Sequence, residues 1–169
     1  MPTRTVAFLA AVSLLGAVAP DAAQAGPDVS PPCRASQLRG SFAMVQGSAG
    51  AGNIVYRLVL ENRSSVSCSL AGLPRATLIG RNERALPTHV AARAAIAAPV
   101  ALGPGAAGQA LARFSPDVPG PGEPVSARCE PVAYRLRVGA RGGVVTVPVV
   151  PPTSVCEHGT LQFSVYRRT

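Results

Sequence analysis

The chain has 169 residues, a formal net charge of +8 at pH 7, 47% hydrophobic residues and 14% charged residues. Because disorder requires low hydrophobicity together with a high content of charge, this composition excludes a wholly disordered chain. The 17 glycines follow no three-residue period, which excludes collagen, and the two histidines leave few ligands for metal or catalytic clusters.

Residues 1–25 have the pattern of a signal peptide. Arg4 gives a positive start, residues 6–19 are uncharged and mostly apolar, and residues 23–25 (Ala-Gln-Ala) form a small-x-small cleavage motif. The apolar run is shorter than the ~20 residues of a transmembrane helix, so a retained membrane anchor is the weaker alternative. No later segment is long and apolar enough to cross a membrane. We therefore expect a secreted, periplasmic or cell-envelope protein without a transmembrane segment after signal cleavage.

A short Pro-rich leader, residues 26–32, precedes a single predicted domain of residues 33–169. The clearest strand is Asn53–Glu61, in which apolar residues occupy every second position from Ile54 to Leu60. This period of two is typical of a strand with one buried face. Shorter runs of the same kind predict seven further strands, at residues 38–46, 66–70, 76–79, 109–114, 133–138, 144–150 and 161–166.

Segments rich in Gly and Pro separate these strands. Ser115–Pro124 contains four Pro and two Gly and predicts an exposed loop. His89–Ala98 is Ala-rich, and we interpret it as strand or irregular structure, with a short helix as the alternative. In the predicted strand at residues 133–138, Tyr134 is expected to point inward together with Leu136 and Val138, because all three fall on one face. The number of short strands and the lack of a long helix predict an all-β, two-layer antiparallel β-sandwich. A β-barrel remains the alternative, since alternation fits both.

Four cysteines in an exported chain predict two disulfides, for which three pairings are possible. We favour the sequential pairing, Cys33 with Cys68 and Cys129 with Cys156, in which each bond ties a strand to its neighbourhood. A zinc site is the alternative. Such a site usually requires two close cysteine pairs, and no two cysteines here are close in sequence.

The sequence contains no convincing catalytic or metal-binding motif, so we expect no catalytic residue, no metal and no cofactor. His89 and His158 stand in no H-x-H or H-x-x-x-H pair, and G-x-S-x-G is absent. If the protein is a hydrolase, His158 is the most plausible general base, because a disulfide at Cys156 would hold its loop in place. The acidic residues mostly occupy strand ends and loops, where carboxylates are ordinarily solvated: Glu61, Glu83, Asp117, Glu123, Glu130 and Glu157.

The positive charge is carried entirely by arginines that are scattered along the chain. Nucleic-acid-binding proteins usually show a basic stripe with interleaved aromatics, so no specific nucleic-acid binding is expected. A solvated basic surface is the simplest interpretation, and weak attraction to anionic envelope polymers is the alternative. Asn62-Arg63-Ser64 matches a glycosylation motif, but Asn62 is better explained as a residue that ends a strand and starts a turn.

Several motifs, taken in order, resemble the DUF4232 family of exported bacterial proteins of unknown function. The most specific is Cys68–Pro74, which is similar to that family's C-x-L-x-G-x-P. The resemblance implies an immunoglobulin-like antiparallel β-sandwich with two disulfides and no assigned catalytic residue. The other matching segments are Cys33–Leu38 (C-x-x-x-x-L), Tyr56–Ser64 (L-x-L-x-N-x-S), Leu102–Gly105 (L-x-P-G), and Cys129 with Cys156 as the second cysteine pair.

These observations predict an exported, disulfide-stabilised protein of the cell envelope or extracellular space that binds or scaffolds and is not an enzyme. Its expected partner is an envelope or extracellular protein or polymer, which would contact loops or a sheet edge. The alternative function is a secreted hydrolase whose site assembles from scattered Ser, His and acidic residues. The sequence does not identify the ligand or the oligomeric state.

Overall fold

The computed structural model describes Met1, residues 30–93 and residues 98–169. Residues 2–25 of the predicted signal peptide, residues 26–29 of the leader and residues 94–97 of the His89–Ala98 segment lie outside the described residues. The end of the leader is held in place, because Ser69 donates a backbone hydrogen bond of 2.8 Å to the Pro31 carbonyl and its hydroxyl donates to the Ser30 carbonyl. Among the described residues, no helix has the length and apolar character needed to cross a membrane.

Strands make up about half of the described residues, with a short 3-10 helix at Ala35–Gln37 and a tight turn at Cys156–Gly159. In chain order the strands are β1 (Leu38–Met44), β2 (Ile54–Asn62), β3 (Cys68–Leu70), β4 (Ala76–Ile79), β5 (His89–Ala92), β6 (Val100–Leu102), β7 (Ala107–Phe114), β8 (Ala133–Ala140), β9 (Gly143–Thr153), β10 (Thr160–Phe163) and β11 (Arg167–Arg168).

Nine of these strands form one mixed sheet in the order β4-β8-β9-β1-β2-β7-β10-β5, with β11 paired to β7. A separate two-stranded sheet joins β3 to β6. Two pairs in the large sheet are parallel, β1 with β9 and β5 with β10. The all-β prediction is confirmed, but the immunoglobulin-like antiparallel sandwich is not, because a single mixed sheet curls until it is nearly barrel-shaped.

The two ends of the sheet approach each other beside the loop that connects β4 to β5. Leu86 donates its backbone N–H to the Leu78 carbonyl at 2.8 Å, and Leu78 in turn donates to the Thr88 hydroxyl at 2.9 Å. These bonds bring β4 and β5 together at one end. The buried apolar residues of the longer strands form one core cluster, whereas β5 and β11 have no buried residue.

This core is organised by β2 and its neighbours. Tyr56, like every second residue of β2, is buried, as the alternation predicted. The Tyr56 ring lies 5.1 Å from that of Phe42 in β1 and 5.2 Å from that of Phe114 in β7. Its hydroxyl donates a 2.8 Å hydrogen bond to the Pro151 carbonyl, so the one polar atom of this ring is satisfied.

The structure joins Cys33 to Cys68 and Cys129 to Cys156, with Cα–Cα distances of 4.8 Å and 5.5 Å. The first bond links the residues before β1 to β3, and both of its cysteines belong to the hydrophobic core cluster. The second links the long loop between β7 and β8 to the tight turn at Cys156–Gly159. The two bonds therefore fix different parts of the molecule, the first within the hydrophobic core cluster and the second between two connecting segments outside that cluster.

Two local predictions are wrong. Tyr134 does not point into the core, because the pairing register of β8 with β9 shifts between Ala133 and Arg135. The shift buries Ala133 and places the Tyr134 ring outside, where the Arg81 guanidinium lies 4.8 Å from its centre. The segment Ser115–Pro124 is a loop as predicted, but Ser115 and Glu123 within it are buried.

Candidate functional site

The two histidines occupy different surroundings. His89 is exposed at the start of β5. His158 lies in the tight turn at Cys156–Gly159, where its φ of 57° is left-handed. The His158 Nε2 atom lies 3.0 Å from the Pro121 carbonyl, and because a carbonyl can only accept, this contact places a proton on Nε2. The His158 Nδ1 atom lies 3.8 Å from a Glu123 carboxylate oxygen.

Glu123 is the buried acidic residue that the sequence did not reveal, since its side chain is only 2% exposed. The carboxylate accepts backbone N–H groups from Gly120 at 2.6 Å, Glu157 at 2.9 Å and His158 at 2.5 Å. Burial alone raises the pKa of Glu123, but the three N–H donors and the nearby His158 imidazole outweigh it and hold the pKa below its ordinary value. Glu123 thus clamps its own loop to the turn that carries His158.

A second carboxyl, that of Glu130, completes a small titratable cluster. Ligand atoms of Glu123, Glu130 and His158 all lie within 4.8 Å of one another, which makes them the described residues best placed to hold a cation. Burial and the neighbouring negative charge of Glu123 raise the pKa of Glu130. The adjacent sulfurs of Cys129 and Cys156 are bonded to each other and are not available as ligands. Because backbone N–H groups already occupy both Glu123 oxygens, the cluster is explained as a loop clamp.

Replacing Glu123 with Gln is expected to lower stability at neutral pH and to flatten its dependence on acid pH. A carboxyl whose folded pKa is lowered stabilises the protein above its unfolded value, and this contribution is lost as the pH falls through the folded pKa. Denaturant unfolding at a series of pH values from neutral to acid measures both effects.

The matched control is Glu130→Gln, for which we expect the opposite change in the pH dependence of stability. Because the folded pKa of Glu130 is raised, its contribution is present below the unfolded value and disappears as the pH rises through the folded pKa. An unchanged acid dependence in Glu123→Gln would show that Glu123 does not clamp the loop.

A different group of charges converges on the outer face of the sheet. Arg57 of β2, Arg93 directly after β5 and Arg167 of β11 surround a pocket of about 400 Å³, which we call the arginine cleft. Its other lining residues are Gln109 and Leu111 of β7 and Ser164, which follows β10.

The pairing of the strands explains why these arginines meet. Arg57 lies opposite Leu111, and Arg167 lies opposite Gln109, two residues along the same strand. Arg93 is brought to the same face because its N–H donates a 2.9 Å hydrogen bond to the Phe163 carbonyl at the end of β10. Residues far apart in sequence thus share one short stretch of sheet surface. No pattern within a single segment could have revealed the cleft.

The arginine cleft holds positive charge without a negative partner. No acidic residue lines it, and within residues 30–93 and 98–169 its three arginines form no ion pair. Some arginines elsewhere are paired, as Arg63, directly after β2, is with Glu61 at 3.0 Å and as Arg135 of β8 is with Glu83. The guanidinium groups of the cleft are therefore free to bind an anion.

The hydroxyl of Ser164, a neutral group in the cleft, already makes hydrogen bonds within the fold. The Ser164 hydroxyl accepts the Leu111 N–H at 2.9 Å and donates to the Val165 carbonyl at 3.1 Å. Leu111 adds an apolar floor that is partly buried. Planar guanidinium groups bind carboxylate or phosphate through paired N–H donors, so the arrangement suits a phosphate or carboxylate group.

Comparisons with known proteins give one match. Residues 33–165 match the family described as Domain of unknown function (DUF4232), which covers nearly the whole described domain. No curated protein matches the chain, and no solved structure does. The resemblance found in the cysteine and turn motifs is confirmed: this chain belongs to the DUF4232 family, whose function is unknown.

Proposed function

We propose that the protein is an exported, non-enzymatic binding protein that attaches to an anionic polymer of the cell envelope or extracellular space through the arginine cleft. The two disulfides support a location outside the cytosol, because reducing compartments rarely retain such bonds. The predicted signal peptide at residues 1–25 supports export to the periplasm, the cell envelope or the medium.

The observation that carries this proposal is the convergence of three unpaired guanidinium groups on one pocket. Like charges held this close repel one another, and a bound anion relieves the repulsion. Arg57, Arg93 and Arg167 come from separate strands or strand ends, so the fold itself holds them together. If these arginines served only solubility, there would be no advantage in bringing three of them to one pocket.

A polymer fits the surface better than a single small anion because the positive charge continues along β7. Arg113 lies on the same outer face, opposite Val55 and Gln162, two residues beyond Leu111. Alternate residues of a strand are about 7 Å apart, so the outer positions of β7 present a regular row to an extended ligand. A chain of phosphate or carboxylate groups can contact several arginines at once.

Replacing Arg57 and Arg167 together with Gln is expected to weaken binding of inorganic polyphosphate by about tenfold, which corresponds to the loss of two exposed ion pairs of ~0.7 kcal/mol each. Isothermal titration at low and moderate salt measures the effect, and added salt should weaken wild-type binding. A parallel titration with poly-glutamate distinguishes a phosphate-bearing from a carboxylate-bearing ligand, and neutral dextran should not bind.

The control is the variant Arg34→Gln/Arg84→Gln, which removes the same charge from positions outside the cleft. We expect it to bind polyphosphate nearly as well as the wild type. Equal losses in the two variants would contradict the proposal, since they would show attraction by net charge alone.

A further inference from the structure

Tyr166 is a buried polar residue whose hydroxyl has no hydrogen-bond partner among the described residues. The residue is only 6% exposed and lines a second pocket, of about 300 Å³, separate from the arginine cleft. Every fully enclosed side-chain N or O atom of the described residues has a partner, so the Tyr166 hydroxyl oxygen is not fully enclosed, as expected for a residue that lines a pocket. Burial raises the pKa of Tyr166, which keeps the hydroxyl protonated and able to donate at neutral pH.

The wall of this pocket is apolar and is built largely by the Cys68–Pro74 motif. Ser69 to Leu73 line it, and Leu38 of β1 and Leu60 of β2 complete the apolar side. Gly72 has a φ of 68°, a left-handed conformation that glycine adopts without strain, and it turns the motif around the pocket. The Gly72 carbonyl accepts the Tyr166 N–H at 3.4 Å, which places the ring against the motif.

Two arginine side chains line the same pocket. Arg75 and Arg141 both line it, no acidic residue does, and neither arginine forms an ion pair within the described part of the chain. Gly139 makes room for Arg75, since a Cβ atom there would lie 3.3 Å from both Cβ and Nε of the arginine. The backbone N–H of Gly139 donates to the Arg75 carbonyl at 2.7 Å and fixes the start of that side chain.

We propose that this pocket binds a small amphipathic monoanion, a medium-length carboxylate, with its apolar body against the leucines. The carboxylate accepts a hydrogen bond from the Tyr166 hydroxyl and pairs with Arg75, while Arg141 adds a second positive charge beside it. The pocket volume lies at the lower end of the range for small-molecule sites, and apolar walls with a few convergent polar groups are typical of such sites. This site is independent of the arginine cleft and does not rest on polymer binding.

Octanoate is the probe, and isothermal titration of the purified protein measures its binding. We expect saturable binding that 1-octanol, of equal apolar length without the charge, does not reproduce. Tyr166→Phe removes only the hydroxyl and should weaken octanoate binding by about tenfold, as loss of a hydrogen bond to a charged group does. Arg75→Gln should weaken it to a similar extent, whereas Arg39→Gln, which removes the same charge from β1 outside this pocket, should not.

Circular dichroism of each variant shows whether the fold is retained. The proposal is overturned if octanoate does not saturate, if 1-octanol binds equally well, or if folded Tyr166→Phe and Arg75→Gln both bind octanoate as the wild type does. Arg57→Gln/Arg167→Gln should leave octanoate binding unchanged, so the failure of either binding site can be recognised separately.

Discussion

Replacing Cys33 and Cys68 together with Ala is expected to lower the free energy of unfolding by about 4 kcal/mol, the value that the chain-entropy relation gives for a loop of this length. The two cysteines are 35 residues apart in sequence, so the bond removes much freedom from the unfolded chain. Both are almost completely buried and pack in the core cluster. Denaturant unfolding under non-reducing conditions measures the loss.

The second disulfide is the natural control for this experiment. Cys129 and Cys156 are 27 residues apart, so chain entropy gives nearly the same value, about 3.6 kcal/mol. Unlike Cys33 and Cys68, these residues lie outside the core cluster. We therefore expect the Cys33→Ala/Cys68→Ala variant to be the less stable of the two. If the Cys33→Ala/Cys68→Ala variant had the same unfolding free energy as the wild type, the stabilising role of the first disulfide would be contradicted.

Asn62→Ala is expected to cost about 3 kcal/mol, the upper range for leaving buried polar groups without partners. Asn62 is fully buried at the end of β2. Its amide nitrogen donates to the Val66 carbonyl at 2.8 Å and to the Leu102 carbonyl at 3.0 Å, and its amide oxygen accepts the Ser64 N–H at 3.0 Å. One side chain thus ties the turn after β2 to β6.

Asn62→Asp should destabilise more than Asn62→Ala at neutral pH, although it changes the shape of the side chain very little. The substitution turns the donating nitrogen into a carboxylate oxygen that faces the carbonyl oxygens of Val66, Leu102 and Gly103. Comparison of the two unfolding free energies at pH 7 tests this order, with Arg63→Ala as an exposed neighbour that should change little. An Asp variant as stable as the wild type would show that these hydrogen bonds do not hold the turn.

The buried position of Asn62 also bears on the glycosylation motif. The Asn62 amide nitrogen is buried and already donates hydrogen bonds inside the fold. A glycan therefore cannot be attached to it in the folded protein. The structural interpretation drawn from the sequence, a residue that closes a strand and begins a turn, agrees with its place as the last residue of β2.

Strand positions were largely predictable because alternation is a local property. Every second residue of β2 from Ile54 is buried, as the period of two required. The arrangement of strands was not predictable in this way, since a sandwich and a curled sheet bury the same faces. The parallel pairs of β1 with β9 and β5 with β10 join segments that are distant in sequence, and nothing within either partner specifies them.

The wrong predictions for Glu123 and Tyr134 have the same physical cause. Glu123 stands in a loop rich in Gly and Pro, where carboxylates are usually solvated, but N–H groups of Glu157 and His158, 34 and 35 residues away, draw it inward. Tyr134 follows the alternation of its own strand, but a register shift against β9 reverses its direction. Both outcomes depend on contacts between segments, which a local pattern does not contain.

The most direct test of the account is a nuclear magnetic resonance titration of isotope-labelled protein with inorganic polyphosphate, followed through the arginine Nε–H signals. If the arginine cleft is the binding surface, the signals of Arg57, Arg93 and Arg167 should move first and furthest and approach one common saturation curve. Shifts of similar size spread over arginines all around the molecule, Arg34 and Arg84 included, would contradict it.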